Sequence, residues 1–71
     1  MIKLGDKIIW GRTTYTCVDF REIFNNSMVT EPFAMVDRWN TPMVRCCDSL
    51  EELQEELDIM KEKYGDKFNY I

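Results

Sequence analysis

Apolar residues recur along the last third of the chain at the spacing of an α-helix. Leu50, Leu53, Leu57, Met60 and Tyr64 fall within an arc of roughly 80° at ~100° per residue, a narrow stripe suited to docking on a sheet. Ser49-Leu50-Glu51-Glu52 is a capping box: the Ser49 hydroxyl accepts from the N3 amide while Glu52 reaches back to the cap amide. Acids crowd the first turns and lysines the last, as the helix dipole favours, and Gly65 stands where a left-handed residue stops a helix. The pattern predicts a helix over residues 49–64.

Upstream the apolar spacing shortens. Lys7–Trp10, Gly11-Arg12 and Thr13–Phe20 form a β-branched and aromatic run folded about a glycine turn, which predicts a hairpin. Phe33–Trp39, Asn40-Thr41-Pro42 and Met43–Cys47 predict a second, its reversal sharpened because Pro42 holds Thr41 extended. Residues 21–32 read either as a hairpin tip around Asn25-Asn26 or as an irregular loop. The expected architecture is one α+β domain over residues 1–71: a small antiparallel sheet of three to four strands, β-rich over 1–47, with one C-terminal amphipathic helix packed on it. The opening Gly5-Asp6-Lys7-Ile8-Ile9-Trp10, followed by Tyr15-Thr16-Cys17-Val18, resembles the first hairpin of small SH3-like barrels. That resemblance implies a curled sheet and brings no function with it.

Composition then narrows the chemistry. The 71 residues are 45% hydrophobic and 31% charged, which suits a single globular domain. Histidine is absent, which removes Ser/His/Asp and Cys/His nucleophiles, imidazole-bound zinc and the usual proton carrier near neutral pH. Cys17, Cys46 and Cys47 are odd in number, and neighbouring strand residues such as Cys46 and Cys47 point to opposite faces. Reduced, buried thiols are expected rather than a disulfide framework, and a Cys₄ zinc site is one ligand short. The sequence thus predicts no enzyme, no cofactor and no metal. The N-terminus is charged by Lys3 and lacks the apolar core of a signal peptide. No stretch approaches the roughly 18 apolar residues of a membrane span, so a cytoplasmic protein without membrane contact is expected.

The net charge of −4 hides an asymmetry. Residues 48–66 carry −6 and the remainder +2. Measured from Leu50 on the helical wheel, Asp58 falls at ~80°, Glu51 at ~100°, Glu62 at ~120°, Glu55 at ~140°, Ile59 at ~180° and Glu52 at ~200°. Like charges at Glu51/Glu55, Glu52/Glu56 and Asp58/Glu62 cost about 0.2–0.5 kcal/mol each, relieved only by an Asp58/Lys61 attraction. Either these acids serve the dipole and solubility, or they steer a basic partner groove onto Ile59. Alternation in the second hairpin supplies another candidate surface. It sets Ala34, Val36, Val44 and Cys46 toward the core, and Met35, Trp39 and Met43 outward around an Asp37/Arg45 pair.

The function expected from these features is non-enzymatic binding of another protein by a regulator, adaptor or inhibitor, in the style of those that phages and mobile elements encode. The alternatives are a nucleic-acid-binding small β-barrel, prompted by Trp10, Arg12, Tyr15, Arg38, Trp39 and Arg45, and a dimeric structural subunit with no separate ligand. The modest basicity of the body argues against nucleic acid, and a homodimer is compatible with the sequence.

Overall fold

The computed structural model describes all 71 residues. Four strands, β1 (Lys7–Trp10), β2 (Thr13–Asp19), β3 (Phe33–Val36) and β4 (Phe68–Tyr70), form one antiparallel sheet in the order β3-β2-β1-β4. A four-residue helix α1 (Phe20–Ile23) follows β2, and the long helix α2 (Leu50–Tyr64) precedes β4 through a single 3₁₀ turn at Gly65–Lys67. The sheet is not closed: β3 and β4 are its edges. No helix is long and apolar enough to cross a membrane.

The first hairpin forms as its sequence dictates. Lys7 pairs with Thr16 and Trp10 with Thr13, leaving Gly11-Arg12 as a two-residue turn. Gly11 adopts φ +63°, the positive value that the first central residue of a type II′ turn requires. The second hairpin does not form as expected. β3 ends at Val36, and residues 42–47 return beside it through isolated bridges, Val36 to Pro42 and Phe33 to Cys47. The physical reason lies in Pro42, which has no N–H for a ladder, and in a tight turn over residues 37–41. The fourth strand is instead β4, which pairs with β1 at Ile8–Tyr70, Ile9–Asn69 and Trp10–Phe68.

α2 obeys its signals closely. The Ser49 Oγ accepts from the Glu52 N–H at 3.1 Å, while the Glu52 carboxylate is reached from the Asp48 N–H at 3.4 Å, one residue before the cap amide expected. Gly65 closes the helix at φ +54°, its N–H donating to the Lys61 carbonyl. The apolar stripe lands on the sheet: Leu53 and Leu57 are fully buried with Ile2, Ile8, Cys17, Met35, Cys47 and Phe68, and Leu50, Met60 and Tyr64 pack around them. Lys61 does not attract Asp58. Its Nζ donates to the carbonyls of Gly65, at 3.2 Å, and Phe68, at 2.7 Å. Strand alternation turns that Phe68 carbonyl away from β1 and toward the open edge.

A second, smaller cluster covers the opposite face at β2 and β3. Phe20, Ala34 and Val36 are buried there, with Val18, Val29 and Cys46 against them. The segment from α1 to β3 is an irregular loop rather than a hairpin arm, and it supplies Phe20 and Val29 to this layer. β3 is therefore covered on both faces, Met35 beneath α2 and Ala34 with Val36 beneath the loop. Val44 sits against the α2-side cluster, not with Ala34, because residues 42–47 do not follow strand alternation.

Candidate functional site

The turn after β3 is exposed yet closely tied by hydrogen bonds. Asp37 Oδ1 accepts from the N–H groups of Trp39, at 2.9 Å, and Thr41, at 3.0 Å. The Asp37 N–H donates to the Thr41 carbonyl at 3.1 Å, and the Asn40 N–H to the Asp37 carbonyl at 3.0 Å. Asn40 takes φ +61°, a left-handed conformation that asparagine tolerates. Trp39 stands on this turn with 69% of its surface in water. The Arg38 guanidinium lies 4.1 Å from the centroid of the indole, stacked on one face of it.

The β1–β2 turn faces this loop. Arg12, Thr13 and Thr14 on one side and Asp37, Arg38 and Trp39 on the other line a cleft of about 410 Å³. A second hollow of about 390 Å³ shares Thr13 and is lined by Trp10, Gly11, Tyr15, Tyr64 and Lys67. Its rings pack on each other, Trp10 to Tyr64 at 5.4 Å and Trp10 to Tyr15 at 6.5 Å between centroids. Five of the interleaved basic and aromatic residues seen in the sequence thus gather at one end of the sheet. The sixth, Arg45, lies elsewhere.

Arg45 is bound to α2. Its Nε donates to Glu56 Oε1 at 2.9 Å, and its terminal nitrogens lie 3.6 Å from Glu52 and 3.8 Å from Glu31. The expected Asp37/Arg45 pair does not exist, because Asp37 is engaged by its own turn. The Glu52/Glu56 repulsion is relieved by the same arginine, so these two carboxylates are half-buried rather than part of a free face. Met35 is fully buried, contrary to its expected exposure, because α2 covers that face of β3. Met43 is half-buried against the main core. Of the four hairpin residues singled out, Trp39 is the most exposed, and its stacking partner is the adjacent Arg38. On α2, Glu51, Glu55, Asp58, Ile59 and Glu62 face water as expected, Ile59 at 60% exposure. Asp58 accepts a hydrogen bond from Gln54 at 2.9 Å.

Burial, reinforced by Asp6, pushes the Cys17 thiol up to about 11, so it stays protonated near neutral pH and is a poor nucleophile. Burial also raises Cys46 and Cys47. The Asp19 carboxyl is held low by the Arg21 guanidinium, which donates to both of its oxygens. Arg12, Arg38 and Asp37 gain their importance from a loop geometry that periodicity does not encode. The spacing Asp37-x-Trp39, with Asn40 following, is the local signal that marks it. The chain matches no protein-family model, no curated protein and no solved structure.

Proposed function

We propose that this protein acts by binding another protein, without catalysis, and that Trp39 is the anchor of the docking surface. The observation that carries this reading is the exposure of Trp39 on a turn whose backbone is tied at four hydrogen bonds. An indole held this way loses little freedom on binding, and covering it contributes on the order of 2 kcal/mol. Tryptophan and arginine are the residue types that dominate interface energetics, and here they are adjacent and stacked. Such a surface suits a small regulator, adaptor or inhibitor. The outward face of α2 around Ile59 is the competing surface within the same proposal.

The test places a photo-crosslinking residue at Thr41, beside the anchor, and identifies adducts formed in the native cell by mass spectrometry. A discrete protein adduct that Trp39→Ala removes and Ile59→Ser leaves unchanged supports the proposal. Loss with Ile59→Ser alone moves the surface to α2, and no adduct at all refutes protein binding at this surface.

A further inference from the structure

The four arginines divide into two kinds. Arg21 is paired with Asp19 at 2.9 Å, and Arg45 with Glu56, Glu52 and Glu31. Arg12 and Arg38 form no ion pair, although the chain carries 13 acids. Both unpaired guanidiniums line the cleft beside Trp39. Its one acid, Asp37, has Oδ1 committed to the N–H groups of Trp39 and Thr41. The cleft therefore carries two planar cationic forks against one carboxylate, a net positive lining, together with the hydroxyls of Thr13 and Thr14 and the indole face that Arg38 leaves uncovered.

We infer that the cleft takes an acidic segment of the partner protein, with carboxylates on Arg12 and Arg38 and an apolar side chain against Trp39. The inference rests on the protein-binding reading above. A guanidinium fork matches a carboxylate through two parallel N–H···O bonds, which gives both strength and direction. A volume of about 410 Å³ holds a few side chains, in the range of ordinary ligand clefts. Nucleic acid fits less well. Single-strand binders stack successive bases on several free rings, and here Trp10, Tyr15 and Tyr64 are packed on one another, which leaves Trp39 alone. Most acids of α2 lie away from this end: Glu51, Glu52, Glu55 and Glu56 precede Tyr64, which lines the adjoining hollow, by eight to thirteen residues, or ~12–20 Å of helix, beyond one Debye length at physiological salt. Glu62, two residues before Tyr64, stands between Lys61 and Lys63 in the sequence, and Lys67 lines the hollow itself.

The experiment titrates ¹⁵N-labelled protein with acetyl-Glu-Glu-Leu-Glu-Glu-amide, followed by amide and indole N–H shifts. The lysine counterpart of the peptide and a thymidine tetranucleotide are run beside it. The acidic peptide should give saturable shifts at Arg12, Thr13, Thr14, Arg38 and the Trp39 indole. The double variant Arg12→Glu/Arg38→Glu should weaken it by about tenfold or more, and ~0.5 M salt should weaken it too. Arg12→Lys should lose less, because the charge remains while the fork does not. Neither arginine side chain forms an ion pair or a hydrogen bond, and Arg38 only stacks on Trp39, so apart from that indole the variants should keep the parent spectrum. Silence with the acidic peptide, equal shifts with the lysine peptide, or shifts with the tetranucleotide alone would each overturn the inference. If crosslinking still depends on Trp39 while the double variant changes nothing, the acidic segment is refuted and protein binding stands. If no crosslink forms at all, both fall together.

Discussion

Gln54 and Tyr70 are joined by a 3.0 Å hydrogen bond from the glutamine amide to the phenol oxygen, which ties α2 to the last strand. The same side chain accepts from the Ile2 N–H through Oε1 at 2.6 Å and donates to Asp58 at 2.9 Å. One amide thus connects the N-terminal segment, the helix and β4. Gln54→Ala removes all three bonds and should cost about 1–3 kcal/mol, since solvent restores only part of them. Hydrogen exchange should then quicken at Ile2 and along β4 while the β1–β2 amides keep their protection.

Leu57 and Ile59 sit two residues apart on α2 and should respond in opposite ways. Leu57 is fully buried in a core too small to carry a large reserve, so Leu57→Ala should cost about 2–5 kcal/mol and leave much of the protein unfolded at 37 °C. Ile59→Ser, at an exposed site, should stay within about 0.5 kcal/mol. Denaturant melts of the two variants measure both. A Leu57→Ala midpoint close to the parent would show that the stripe does not hold the sheet.

Arg45 acts on a repulsion within the helix. Glu52 and Glu56 are one turn apart, and the arginine lies between their carboxylates. Arg45→Gln should lower the melting temperature at low ionic strength, and added salt should shrink the difference because water still reaches these half-buried groups. An effect that is independent of salt would assign Arg45 a packing role instead.

Acid should act through Asp19. Its carboxyl titrates below the ordinary range because the Arg21 side chain donates to it, with the Arg21 backbone N–H adding to the effect and burial opposing it. A depressed folded value stabilises the fold above the unfolded value of about 3.9, and this stability is lost as pH falls through the folded value. Asp19→Asn should therefore melt lower than the parent near neutrality, and the gap should close as pH falls through the window below about 4. A constant gap across that window would mean that the Arg21 pair does not set the titration.

Local signals account for what was legible in the chain. α2 was readable to within a residue because its cap, stripe and stop glycine agree. The first hairpin was readable because a two-residue turn fixes its register. Met35 was misplaced because alternation assumes a strand with one covered face. Phe33-Ala34-Met35-Val36 is a continuous apolar run, the mark of a strand enclosed on both sides. β4 escaped notice because three residues after a 3₁₀ turn carry almost no period, and only tertiary pairing with β1 makes them a strand. In the candidate site, Trp39 was visible as an aromatic on a turn. Its neighbours Arg12, Thr13 and Thr14 are more than twenty residues away in sequence, and only the sheet order brings them across from it.

An open sheet has two margins along which another copy could add strand to strand and build a fibre. At β3 the returning residues 42–47 occupy that margin, with the Met43 N–H on the Met35 carbonyl and the Cys47 N–H on Phe33. At β4 the guard is a single ammonium group. Lys61 sits on the Phe68 carbonyl, where the N–H of an incoming strand would have to bond, and its positive charge confronts the same lysine on the other copy. Protection of this margin against strand addition therefore rests on one helix lysine that lies outside the candidate cleft.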